Sequence, residues 1–258
     1  KGRFGTLDTS DIDWDANEQA MKSERRARRV WVTKQASGFC GTGRMMVKWK
    51  FREESNCPRC GMIDEDMDHV LRCQSTEANE KWLSTMESLR KWLEKHDTHP
   101  DLVEILCKRL SEWRNGEGLQ PMVFSDPVLY RLLLKQDTIG WRSCIDGLLV
   151  REWAVVQASY FEMIGSRRSG KRWAVALIKK LWDTAWDMWV HRNRVVHDNE
   201  SGVRAIELRR AIREQFQLGS QGVTVQARRL FQGGVQKVLG YSIEAQEAWM
   251  RRIVAART

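Results

Sequence analysis

Apolar residues recur at three- and four-residue spacings along most of the chain. Trp82, Met86, Leu89 and Leu93 make one stripe that stops before Pro100, and Leu102, Ile105, Leu106, Leu110 and Trp113 make the next, ending at Asn115-Gly116. Such spacing puts the side chains on one face of an α-helix, and Pro and Asn-Gly are ordinary helix stops. Beyond Pro121 and Pro127, Leu129, Leu132 and Leu133 predict a short helix. Ile145, Leu148, Leu149, Trp153, Val156, Tyr160 and Met163 predict a long one closed by Gly165, and Trp173, Leu177, Leu181, Trp182, Ala185 and Trp189 predict a second. Further helices are expected over 203–216 and 242–256, the latter opened by Ser242 as a cap. Near the amino end, the stretch around Trp14 and from Glu18 to Trp31 reads as an amphipathic helix with a very basic second half. Gly38, Gly41 and Gly43 then interrupt the pattern, so 35–54 is expected to be loop plus a short helix carrying Met45, Met46 and Trp49. Sustained two-residue alternation is absent and Pro is scarce. The fold class is therefore mainly α: a multi-helix bundle, with a small Cys3His knuckle near the N-terminal third.

The chain has 258 residues, 42% of them apolar, which suits one large domain or two small ones and excludes wholesale disorder. No apolar run approaches the ~20 residues that span a bilayer. The amino end, Lys1-Gly2-Arg3-Phe4-Gly5, has neither an initiator Met nor an apolar signal core, so a fragment with functional residues upstream of Lys1 is expected. The expected setting is intracellular, a nuclear or cytoplasmic ribonucleoprotein without membrane contact. The 13 Trp exceed ordinary usage, and most fall on the helical stripes, where core packing accounts for them. Trp31, Trp49 and Phe51 are the exceptions, because they are interleaved with Arg and Lys.

Charge sharpens this picture. With 43 Lys+Arg against 34 Asp+Glu the net charge is +9, favouring anionic partners. Ten basic residues, Lys22, Arg25, Arg26, Arg28, Arg29, Lys34, Arg44, Lys48, Lys50 and Arg52, face one acid, Glu24, across 22–52, while the flanking segments are acidic. The chain thus divides into a basic helical arm (1–56), a CCHC element (57–75) and a Trp-rich helical domain (76–258).

The chemistry-bearing pattern is Cys57-Pro58-Arg59-Cys60-Gly61, eight residues between Cys60 and His69, then Cys73 four positions on, or C-x2-C-x8-H-x3-C. Two thiolates two residues apart can grip one metal in a tight turn, and Gly61 can adopt the positive φ such a turn needs. His69 and Cys73 lie on one face of a helix and close a tetrahedron. Three thiolates and an imidazole without a carboxylate favour Zn2+ over Mg2+ or Ca2+. Four filled positions leave none for water, so the expected site is structural. Cys40, Cys107 and Cys144 read as buried or free thiols, with Cys40 near enough to substitute as a ligand.

These residues resemble the zinc-binding region at the carboxyl end of reverse transcriptase polyproteins of LINE-type retroelements. The flanks, Arg29-Val30-Trp31-Val32-Thr33-Lys34, Gly38 to Met46 and Lys48-Trp49-Lys50, are similar to the basic stretch before the zinc residues. Downstream, Trp186, Trp189 and Arg192-Asn193 resemble the helical Trp-x-x-Arg-Asn segment of these proteins. The resemblance covers 11–198 loosely and 31–73 specifically. It implies zinc, a nucleic-acid partner (the RNA of a retrotransposon or its DNA target) and the rest of a polyprotein upstream. It does not imply polymerase activity in this chain, because neither Tyr130, Tyr160 nor Tyr241 opens the Tyr-x-Asp-Asp motif that holds two metals. The Cys60–His69 spacing is longer than in a retroviral nucleocapsid knuckle, so the expected mechanism is phosphate-backbone contact with RNA or DNA. The expected nucleic-acid-binding residues are Arg25, Arg26, Arg28, Arg29, Trp31, Lys34, Arg44, Lys48, Trp49, Lys50, Arg167, Arg168 and Lys171, and no catalytic residue is assigned.

Two further motifs are weaker. Gly165-Ser166-Arg167-Arg168-Ser169-Gly170-Lys171 fits G-x4-G-K, but Arg172 follows instead of the Ser or Thr that holds Mg2+, and a helix precedes it instead of a strand. A basic interhelix turn is the plainer reading. Arg192 to His197 fits the R-x4-H pattern of HEPN ribonucleases, in which Arg192 would stabilise charge and His197 would move a proton. A helix-terminal Arg and His also complement the helix dipole. A helical protein-interaction scaffold is the remaining alternative.

Overall fold

A computed structural model describes residues 9–257, apart from the side chains of 199, 200, 201 and 203. The described residues form α-helices joined by loops and contain no β-strand beyond a single antiparallel bridge between Ile12 and Val150. They divide into two compact units, the first ending at Asn193 and the second beginning at Arg194.

The first unit holds α1 (Trp14–Ser23), α2 (Arg26–Ser37), α3 (Gly43–Lys48), α4 (Met67–Arg72), α5 (Thr76–Lys95), α6 (Pro100–Asn115), α7 (Pro127–Ile139), α8 (Trp141–Ile145), α9 (Glu152–Met163) and the first half of α10 (Gly170–Leu218). Asp13, Asp66, Ser75, His99 and Asp126 cap helix starts with side-chain hydrogen bonds, and Pro100 and Pro127 occupy first-turn positions where a missing N–H costs nothing. One continuous core runs from Ala16 and Trp31 through Cys57 and Leu71 to Trp153 and Trp182. α1, α2 and the cysteine-rich segment bury their apolar faces in the same core as α5–α9.

Two predicted helices are broken. The 18–31 segment bends at Glu24 and Arg25, both extended, which lets α2 bury Trp31, Val32 and Gln35. The 145–163 segment is interrupted after α8, because Gly147 (φ +87) turns the chain where an added Cβ would lie 2.8 Å from both Ile178 and Trp182. The freed backbone at 149–151 instead bonds the amino-terminal segment, with Asp13 N–H donating to the Leu149 carbonyl at 2.8 Å. Tryptophan packing follows the stripes, and two buried indoles find polar partners, Trp153 donating to Gln136 and Trp182 to the Asp146 carbonyl.

The second unit comprises the rest of α10, a 3-10 turn (Val225–Phe231), α11 (Gly234–Leu239) and α12 (Ile243–Arg257). The helix expected at 203–216 is the continuation of α10, which has no break between 170 and 218. Ser242 accepts from Ala245 N–H at the start of α12, as its sequence indicated. Ile212, Val238, Trp249 and Ile253 form a small core, with Phe216 stacked on Trp249 and Phe231 edge-on to both. No described helix is long and apolar enough to cross a membrane.

Candidate metal centre and basic surface

Cys57, Cys60, His69 and Cys73 converge, with their ligand atoms all within 4.8 Å of one another. Cys57 and Cys73 sulfurs are 3.9 Å apart, and Cys60 Sγ is 3.3 Å from His69 Nε2. A single ion can therefore touch all four. Cys40 lies outside the group, and the described residues hold no second one.

Local chemistry builds this geometry. Gly61 (φ +74) closes the CxxC turn, its N–H donating to the Cys57 carbonyl at 2.9 Å, and Cys57 N–H donates to Met62. Asp66 caps α4 by accepting from His69 N–H at 2.8 Å, which sets His69 and Cys73 at adjacent turns. Cys73 is pulled well below the ordinary thiol range, chiefly by the hydrogen bond from Cys57, with His69, the Ser75 backbone and Arg59 adding to it. The same bond, with burial, pushes Cys57 up. The pair thus favours one thiolate even before an ion arrives. Burial is the main cause that pushes Cys40 up to about 11 and raises Cys107 and Cys144, with Glu94, Glu87 and Asp146 adding to the latter two, and all three are free, buried thiols.

The centre is fastened to the helical core by side chains the sequence reading did not single out. Arg114 donates to the Cys73 carbonyl and to Asn79 Oδ1, both at 2.7 Å, and lies over the Trp82 ring. Burial lowers its pKa to about 10. Arg59 donates to the Val70 carbonyl at 2.6 Å. Arg142 joins Asp68 of α4 at 2.6 Å to the buried Asp146, which also accepts from Gln35 of α2. Glu65, fully buried between the acidic loop and α4, accepts from both Gly43 N–H and the Arg192 guanidinium. Gly43 is needed there, because a Cβ would lie 2.2 Å from the Ser55 carbonyl oxygen.

Arg192 is thus buried and engaged with Glu65 and the Gly41 carbonyl; His197 belongs to the second unit.

The predicted basic residues do not share one fate. Arg25, Arg26, Arg29 and Lys34 are exposed along α2 and its start. Arg28 instead turns inward between Trp31 and Trp186, 4.9 and 4.7 Å from their ring centres, and pairs with Asp183. Trp31 is corrected to a core residue, buried edge-on to Trp186. Arg44 is held by Asp64 and Asp66, and its hydrogen bond keeps the Asp64 carboxyl below its ordinary value. Arg168 pairs with Asp97 and Lys171 with Asp15, while Arg167 is exposed. Around α3, Lys48, Trp49, Lys50 and Phe51 are exposed, and Lys48 lies over the exposed Phe39 ring. Trp49 also packs near Gly41.

No family model matches the chain, and neither a curated protein nor a solved structure matches it.

Proposed function

We propose that this chain is a zinc-stabilised, non-catalytic nucleic-acid-binding region of a retroelement reverse transcriptase polyprotein. The observation that carries this reading is the Cys3His group linked through Glu65 to α3, where cations and aromatic rings are exposed together. Tetrahedral zinc with bonds of about 2.3 Å to sulfur sets sulfurs roughly 3.8 Å apart, and the 3.9 Å between Cys57 and Cys73 supports that ion. Zinc supplies only a cross-link between the CxxC turn and α4. Through Glu65, which accepts from Gly43 N–H and whose carbonyl accepts from Arg44 N–H, that cross-link positions α3.

Lys48 and Lys50, with Arg25, Arg26, Arg29 and Lys34 of α2, contact phosphates and release counterions. Trp49, Phe51 and Phe39 offer faces on which unpaired bases stack, which favours single-stranded RNA or DNA over duplex. The rest of the polyprotein lies upstream in the same reading frame.

The test is metal content by mass spectrometry together with fluorescence anisotropy on a labelled 20-nucleotide strand across a salt series. One zinc per chain and affinity that falls steeply with salt support the reading. Zinc without salt-dependent binding would favour the protein-interaction scaffold.

A further inference from the structure

An open cavity of about 340 Å³ lies where the end of α5, the end of α9 and the start of α10 meet. Its rim carries Arg167, Arg168, Arg172 and His96, its floor includes Phe161 and Trp173, and none of its lining residues is acidic. We propose that this cavity is a phosphate-monoester site that takes the phosphate of a mononucleotide or the 5′-phosphate end of a nucleic-acid strand. The strand form of the ligand rests on the nucleic-acid reading above; the mononucleotide form does not.

The charges fit a dianion. Three arginines give three positive charges, and the Asp97 carboxylate, 2.6 Å from Arg168, cancels one. About two remain, matching a phosphate monoester near pH 7, whose second pKa is about 6. An internal phosphodiester carries one charge. Arg167 and Arg172 have no carboxylate partner among the described residues, so their forks are available for bidentate contact. The volume falls at the small end of ligand pockets, near the size of one nucleotide.

The frame is built before any ligand arrives. Gly165 (φ +69) ends α9, and Ser166 N–H donates back to the Phe161 carbonyl at 2.8 Å. Gly170 then presses so close to α9 that a Cβ would lie 2.2 Å from the Ala154 carbonyl oxygen. The arginine-bearing loop is therefore stapled at both ends. On the facing side, Gln157, itself buried, donates to the Asp97 carbonyl at 2.8 Å and accepts from His99 N–H, which fixes the α5–α6 turn and with it the Asp97–Arg168 pair. His96 stacks on Trp92 and donates from Nδ1 to its carbonyl at 2.7 Å, which fixes the ring at the rim. Trp173 is anchored to Thr98 at 3.0 Å. Such preorganisation reduces what ordering costs on binding.

The test is calorimetric titration of the full chain with adenosine 5′-monophosphate and with adenosine, and anisotropy with a 5′-phosphorylated and a 5′-hydroxyl strand of one sequence. Adenosine 5′-monophosphate is expected to bind at least tenfold more tightly than adenosine. Arg172→Ala is expected to remove that preference, and Arg131→Ala, which deletes an exposed α7 arginine outside the cavity lining, to keep it. A 5′-phosphate preference shared by the strand supports both forms of the ligand. Preference for the mononucleotide without strand binding supports the site and removes the nucleic-acid reading. Strand binding indifferent to the 5′ group, with no mononucleotide preference, overturns the site and leaves that reading standing. A preference that survives Arg172→Ala also overturns it.

Discussion

Glu65 and Arg192 lie 127 positions apart in sequence and meet in a buried two-pronged ion pair, each side chain almost without exposure. Glu65 also accepts from Gly43 N–H, so the pair links the loop before α4, the start of α3 and α10 at one point. Removing one partner of a buried pair leaves an uncompensated charge, at a cost of about 3–5 kcal/mol. Arg192→Ala and Glu65→Ala are each expected to lower stability by that order in urea titration. The double variant should cost less than the sum of the two.

Arg28 and Arg29 are neighbours with opposite duties. Arg28 is sandwiched by Trp31 and Trp186 and paired with Asp183, so Arg28→Ala should lose about 1–2 kcal/mol of stability. Arg29 is exposed. Arg29→Ala should leave the thermal midpoint in place and flatten the salt dependence of nucleic-acid affinity by about one phosphate contact. A midpoint drop in both variants would overturn the assignment.

Gly43→Ala tests the seat of α3. The new methyl would collide with the Ser55 carbonyl oxygen, which belongs to the strap leading to Cys57. We expect a loss of about 1–3 kcal/mol and weaker retention of metal against a chelator. Gly118→Ala, where nothing lies within 4 Å, should retain metal as the native chain does.

Thiol reactivity separates the six cysteines by mechanism. In metal-free protein at pH 7.5, Cys60, the exposed one, should alkylate first. Cys40, with its pKa pushed up to about 11, and Cys144, pushed up by complete burial, are mostly uncharged at that pH and should react slowest, because the thiolate is the nucleophile. With metal bound, Cys60 should join them. Peptide mapping by mass spectrometry after timed iodoacetamide reads the order.

The helical stripes and the ligand spacing were legible because each is local: three- and four-residue recurrence marks a buried face, and C-x2-C-x8-H-x3-C places four donors within one short segment. What the sequence hid depends on partners far along the chain. Nothing near Glu24 or Arg25 signals a helix break; the bend exists because α2 must turn Trp31 inward. Interleaving with arginine made Trp31 resemble a base-stacking residue, whereas the neighbouring Arg28 is itself drawn into the core by two indoles. Arg59, Arg114, Arg142 and Glu65 look like ordinary surface charges until the fold packs them against backbone groups and side chains distant in sequence. The unbroken α10 was read as two helices because polar residues around 198–202 interrupt the apolar stripe without ending the helix.

The hydrogen bonds of Arg114 and Arg72 define how far the chain can come apart when the ion leaves. Arg114 holds the Cys73 and Ala78 carbonyls, Arg72 reaches the Arg114 carbonyl, and Val70 and Leu71 are fully buried. None of these contacts passes through the metal. Chelation should therefore loosen the turn from Cys57 to Asp64, held then by Arg59 on the Val70 carbonyl and by the Arg44–Asp64 pair, while α4 stays docked. Hydrogen exchange would then show two protection classes within a single 17-residue ligand span, with the boundary between them set by arginines outside the donor set.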